Sequence, residues 1–295
     1  MSILAWTVVV LPSAALAQTA AATVTDQAEK LLSSGKRSEA LALYRQAVKQ
    51  DPASFDAQIG IGRLLDLEGQ YAEARQHLQK AIEIAPEADR NSALSTMAQS
   101  YAFEGKAADA AKYYQQVFDN QIKAGAVEGA AGTANALGRV YLETGDVANA
   151  EKWYRAGHDT SGKLEKRTPE DTDLWEMRWH HAQARIAARR KQFDVARQHM
   201  SQLITIIGRG RLDENQQIQY PYLAGYVAFY EGKPDEAIAE LSKASQNDPF
   251  VLSLLAQAYE QKKEQGKARE LWTRILEMSD HNLQMAFARP LARRR

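Results

Sequence analysis

The sequence predicts an all-α protein, a solenoid of about seven helix-turn-helix repeats, and three observations predict it. Gly35, Ala40, Ala47 and Pro52 recur 34 residues later as Gly69, Ala74, Ala81 and Pro86. Self-similarity at a period of this length is the mark of stacked supersecondary units. The small-residue landmark then continues as Ala40, Ala74, Ala110, Ala150, Ala196, Ala237 and Ala268, in steps of 34, 36, 40, 46, 41 and 31 residues. Four residues after each stands a large apolar side chain: Tyr44, Leu78, Tyr114, Tyr154, Met200, Leu241 and Trp272.

Each element of the repeat follows from these spacings. A small and a large residue one helical turn apart share a helix face. The small one lets a neighbouring helix approach, and the large one fills the space beside it. Upstream lies another helix with its own small residue and aromatic, as in Ala98 with Tyr101, Gly138 with Tyr141, and Ala256 with Tyr259. Between the two helices Gly35, Gly69, Gly105, Gly145 and Gly232 supply a residue that accepts the left-handed conformation ending a helix. Pro52, Pro86 and Pro249 close the second helix, because proline cannot continue one.

These residues resemble the tetratricopeptide repeat family, whose pattern is Leu-Gly-x-x-Tyr in the first helix and Ala-x-x-x-Phe in the second. The best-matching copy is Leu137-Gly138-Arg139-Val140-Tyr141, followed by Ala150 and Tyr154. The resemblance implies a right-handed superhelix whose first helices line a concave, partner-binding face. Seven units span residues 18–276, leaving 277–295 as a C-terminal cap and basic tail. The pattern departs from the family in places. Repeat five has Lys191 where glycine is expected, so its turn is the least secure. Residues 157–172 are polar and hold Gly162 and Pro169, which reads as a loop or frayed extension. Gly208-Arg209-Gly210-Arg211 reads as a similar interruption.

The N-terminus has two elements of an export signal over residues 1–17. An apolar run covers residues 3–11, and Ala15-Leu16-Ala17 fits a small-x-small cleavage site before Gln18. No basic residue precedes the run. The address expected is the periplasm or the medium, with no stable membrane span after cleavage. Lysine plus arginine and aspartate plus glutamate both number 37, so the chain carries no basic excess to favour nucleic acid. With no cysteine there is no thiol to acylate, oxidise or ligate.

The motifs that carry chemistry are missing. His180 and His181 are adjacent, hence about 100° apart on a helix and poorly placed to share a metal. The zinc-binding His-Glu-x-x-His, the Gly-x-Ser-x-Gly nucleophile turn and the phosphate-binding glycine loop do not occur. Gly60-Ile61-Gly62 falls within a repeat helix rather than after a strand. The acid pair Glu170 and Asp171 sits in the polar stretch, where a solvated surface is the simpler reading. No enzyme, metal site or cofactor is therefore expected. The rival from another class, a helical envelope hydrolase using a carboxylate, needs an isolated acid in a deep pocket, and none stands out.

The candidate binding residues come from the groove that the resemblance implies. Its groove positions fall on Asn135 and Arg139 in repeat four, and on Arg178, His181, Arg185 and Arg189 in repeat five. Repeat six contributes Tyr222, Tyr226, Phe229 and Tyr230. The arginine spacing i, i+7, i+11 is one face of a helix independently of the family. Arginine takes carboxylates in a bidentate fashion, and tyrosine gives rigid contact area. Some family members hold an acidic peptide with lysines and asparagines. Asn135 stands at one asparagine position, Arg139 replaces the other, and the lysines are not in place. The expectation is a non-enzymatic scaffold holding an anionic or aromatic peptide or protein segment, in envelope assembly or secretion. Two alternatives stay open: the arginines are only a solvated face with Tyr226 and Phe229 in the inter-repeat core, or the array associates with its own copy. The four arginines of residues 281–295 are expected in a mobile, solvated tail, with Met285 and Phe287 as candidate cap residues.

Overall fold

A computed structural model describes residues 13–295, in two compact units that divide between Glu87 and Ala88. The apolar run over residues 3–11 lies outside the described residues. The first unit holds α1 (Ser13–Ser33), α2 (Arg37–Gln50), α3 (Phe55–Glu68) and α4 (Tyr71–Ile84), each packed on the next. The second begins with α5 (Arg90–Phe103), α6 (Ala107–Lys123), α7 (Val127–Thr144) and α8 (Val147–Ser161). It continues with α9 (Pro169–Arg189), α10 (Phe193–Ile207), the single turn α11 (Glu214–Gln217), α12 (Gln219–Glu231) and α13 (Pro234–Leu241). It ends with α14 (Pro249–Gln261), α15 (Gln265–Glu277) and α16 (Leu283–Ala292). Among the described residues there is no strand, and the helices form seven consecutive antiparallel pairs plus α11 and α16.

The landmark register is that of the packing. All seven landmark alanines are at most 1% exposed. The helices of a pair approach so closely that glycine is required at some crossings. A methyl group added to Gly138 would fall 2.9 Å from the Tyr154 ring, and one on Gly225 would fall 2.5 Å from Leu241 Cγ. Those are the small and large partners that the spacing sets on facing helices, and the contact is closer than any real Cβ tolerates.

The turn in repeat five is the same turn as the others. Lys191 takes φ 59° and Lys263 takes φ 62°, where the other pairs place a glycine. In both, the next residue's N–H closes back five residues, Gln192 to the Ala187 carbonyl at 2.8 Å and Glu264 to the Tyr259 carbonyl at 2.9 Å. That is the hydrogen bond closing the glycine turns, as Asp146 to Tyr141 shows. Geometry, not residue type, decides the turn, and lysine bears the left-handed cost of roughly 1–2 kcal/mol.

Two sequence expectations are corrected. The expected loop is shorter than residues 157–172 and covers only 162–168: α8 runs to Ser161, and Pro169 begins α9, where its missing N–H costs nothing. Thr168 caps that start reciprocally with Asp171. The 208–211 interruption is present as expected, and it is pinned down. Arg209 Nη1 donates to Asp173 Oδ1 at 2.6 Å and Arg211 Nε to Oδ2 at 2.7 Å, holding a fully buried carboxylate of α9.

The C-terminal segment is the second correction, since residues 283–292 form α16 rather than a mobile tail. Met285 and Ala288 are fully buried, and Arg289 is 6% exposed. The Arg289 guanidinium donates to the carbonyls of Ile275, Leu276 and Met278, closing the end of α15. The helix packs on α14 and α15, and also on α5 and α7 at the opposite end of the unit. His281 just before it stacks on Phe103 at 5.1 Å, with Nδ1 3.0 Å from Gln99 Oε1.

If these crossings carry the packing, Gly225→Ala should destabilise the protein by about 1–3 kcal/mol, as overpacked core sites do. Urea denaturation read by circular dichroism checks it, and an unchanged midpoint contradicts the register.

Candidate partner-binding recess

Three helix faces of the second unit converge. On α7, Asn135, Arg139 and Glu143 stand four residues apart, and on α12 so do Tyr222, Tyr226 and Tyr230. On α9, Arg178, His181, Arg185 and Arg189 follow at steps of three and four. Each set is one stripe of its helix.

The inner part of this convergence is an ion network. The Glu143 side chain is 4% exposed, with Arg185 Nη1 at 3.6 Å and Arg189 Nη1 at 3.2 Å. Arg185 Nη2 donates to the Tyr154 hydroxyl at 2.7 Å, and Arg189 Nη1 to the Tyr230 hydroxyl at 3.2 Å. Burial works against both guanidinium charges. The tyrosine oxygens and Glu143 outweigh it and hold both pKa values above the ordinary arginine value. Burial also pushes the Tyr226 hydroxyl well up, so it stays protonated.

Outside the network lies a recess of about 500 Å³. Asn135 and Arg139 enter it from α7, and Arg178, His181 and Arg185 from α9. Tyr222 enters from α12, and Asp248 at the start of α14 completes that side. Arg139 lies over the Phe250 ring at 4.9 Å, while the exposed Arg178 stacks on Trp175 at 4.5 Å. The His181 ring meets Tyr222 at 5.3 Å. Burial, then the cations Arg185 and Arg139, lowers the His181 pKa well below the usual imidazole value, so the ring is neutral near pH 7. Burial raises the Tyr222 hydroxyl to about 12. Arg139 Nε and Nη2, Arg185 Nε, His181 Nε2 and the Tyr222 hydroxyl are buried with no hydrogen-bond partner in the protein. Leaving such a group unmade costs about 1–3 kcal/mol.

A family model described as Tetratricopeptide repeat matches residues 25–89, 95–161 and 222–282. The chain belongs to the tetratricopeptide repeat family. The unmatched stretch between the second and third regions holds the irregular repeat five, which supplies α9 to the recess. A solved tetratricopeptide repeat protein from Parabacteroides merdae is similar over 92% of this chain and 99% of its own, with TM-score 0.55 and 14% identity. The structure of PilW, a type IV pilus biogenesis factor, is similar over 81% of this chain and 97% of its own, with TM-score 0.52 and 13% identity. At such identities the likeness is one of fold. No curated protein sequence matches the chain.

Within this tetratricopeptide unit the ten expected groove residues separate into three groups. Asn135, Arg139, Arg178, His181, Arg185 and Tyr222 share the recess. Arg189, Tyr226 and Tyr230 belong to the Glu143 network behind it. Tyr226 is fully buried in the core, and Phe229 packs against the core edge-on to Tyr230 at 5.2 Å. Arg185 and Arg189 are therefore tied to Glu143 rather than forming a solvated face. The sequence reading missed Glu143, although its spacing from Arg139 places it on the same stripe. It also missed Asp248 and α16, whose Leu283 and Gln284 line the recess. His180 does not share a site with His181: its Nδ1 lies 2.9 Å from His199 Nδ1. Among the described residues, no three metal-ligating side chains are grouped to hold a metal, and no helix is long and apolar enough to cross a membrane.

The buried histidine sets a pH dependence. The folded protein resists protonating His181, whereas the unfolded chain takes up that proton near the ordinary pKa of about 6.5. Stability should therefore be constant above that pH and fall as pH drops below it, until the lowered folded pKa is passed. His77, His180 and His199 are lowered by burial and act in the same direction. Urea midpoints measured from pH 8 to pH 5 should decline below about 6.5, less steeply in His181→Phe. A profile flat to pH 5 contradicts this.

Proposed function

We propose that the protein is a non-enzymatic scaffold that holds a peptide or protein segment at the recess where α7, α9 and α12 meet. One observation carries this reading: helices of three consecutive repeats turn Asn135, Arg139, Arg178, His181 and Tyr222 into one cavity. Side chains from separate units, held on rigid helices, are how a repeat array builds a binding surface. Three arginines beside two tyrosines favour an anionic or aromatic segment. Because α16 covers the face toward α5 and α14, the segment held is a short one. The export-like pattern over residues 1–17 supports a role in the cell envelope, in assembly or secretion.

The residue to test is Arg178. It is exposed and its loss leaves the Glu143 network intact, whereas Arg185 or Arg189 changed to Glu would bring a second carboxylate against Glu143. Full-length protein and Arg178→Glu should be used side by side as baits on envelope extract. The wild type should retain a partner that the variant loses at least tenfold, with equal helicity by circular dichroism. Equal capture by both baits contradicts the reading, and a dimer by light scattering with no captured partner transfers it to self-association.

A further inference from the structure

The recess is lined in part by segments that are not repeat helices, Asn215 and Gln216 of α11 and Leu283 and Gln284 of α16. Along the remaining face, α16 lies on α5, α7 and α14, with Phe287 against Phe250 at 6.3 Å. What is left is a pocket of about 500 Å³, within the range of roughly 300–1,000 Å³ that small-molecule sites occupy.

Its buried polar atoms without a protein partner are mainly donors. The unpartnered Arg139 Nε and Nη2 and Arg185 Nε are donors, and the Tyr222 hydroxyl can donate. Neutral His181 adds Nε2, which donates in one tautomer. Arg185 and Tyr222 are 5% and 6% exposed, so these are interior groups rather than surface charges. Against three lining arginines stands one lining carboxylate, Asp248, which accepts the Phe250 and Val251 N–H groups at the start of α14. Glu143, in contact with Arg185, is shared with Arg189 behind the pocket. The pocket thus has an excess of positive charge and of donors. Leu174, Met177 and Leu283 supply an apolar wall.

We propose that the pocket binds a small organic anion, its carboxylate or phosphate held by Arg139, Arg185 and the Tyr222 hydroxyl and its apolar body against Met177 and Leu283. This rests on the recess being a binding site, as the scaffold reading also has it. It differs in the ligand, since the site is complete without a protein partner. The shared chemistry is an anionic head on an apolar body, and a free peptide terminus is the competing source.

The test uses the full chain with phenyl phosphate and 3-phenylpropionate as probes, alongside a hexa-alanine peptide with free or amidated C-terminus. Isothermal titration should show one of the two small probes binding saturably at one site per chain and raising the melting temperature. Tyr222→Phe removes only a hydroxyl without a protein partner. It should weaken the probe at least fivefold while the free protein melts no lower than wild type. Arg139→Gln should weaken it at least tenfold with helicity unchanged. Saturable heat from neither small probe overturns the proposal, as does affinity unchanged in both variants. Binding of only the free-terminus peptide overturns it in favour of a peptide end. None of these failures alters capture of a protein partner through Arg178, so the two readings fail separately.

Discussion

A carboxylate as enclosed as Glu143 cannot stand alone, and the middle of the second unit is arranged around that constraint. Removing a charge from water costs several kcal/mol, which is recovered only by close counter-charges and further hydrogen bonds. Arg185 and Arg189 supply the counter-charges from α9. Tyr154 of α8 takes one further donor of Arg185, and Tyr230 of α12 takes one of Arg189. One acidic residue thereby ties together four helices from three repeats. Such a network contributes little net stability over an apolar core, but it fixes which residues face one another. The recess exists because Arg185 is held at its inner edge while its Nε is turned away from every protein acceptor.

Around that centre the packing is carried by size complementarity. Several crossings set glycine against a large side chain, Gly60 on Tyr44, Gly138 on Tyr154 and Gly225 on Leu241, and the buried landmark alanines mark where the helices touch. The array is lengthened in repeats four and five, and the extra residues have a purpose. They lengthen α9 and bring Asp173 to where Arg209 and Arg211 clamp it, which holds the connection into α11 beside the recess. At the other end α16 closes the face with the Arg289 guanidinium as its fastener. Hydrophobic burial drives α16 inward even though its flanking sequence is basic, because Met285, Ala286 and Ala288 form one apolar stripe.

The repeat register was legible in the sequence because spacing alone determines which residues share a helix face. The landmark alanines and the shared face of Arg178, Arg185 and Arg189 follow from it, while the groove stripes of α7 and α12 came from the family resemblance. What spacing does not contain is the identity of the neighbour. Arg185 and Arg189 read as a ligand-facing pair because their acidic partner, Glu143, lies more than 40 residues away. The tail read as solvated because its contact with Gln99 spans 182 residues. Lys191 read as a weak turn because residue type stood in for a conformation that the flanking helices impose. Pro169 read as a breaker, though the same fixed φ that ends a helix also begins one.

The central claim is that Glu143 and its arginines act as one unit, and a double-mutant cycle measures that directly. Urea unfolding of wild type, Glu143→Gln, Arg189→Gln and the double variant isolates the coupling between the two side chains. Residues in one ion network couple by roughly 0.5–3 kcal/mol, and this account predicts a favourable coupling above about 1 kcal/mol. Additive single effects, with coupling indistinguishable from zero, would show that the carboxylate and guanidinium are neighbours without being partners.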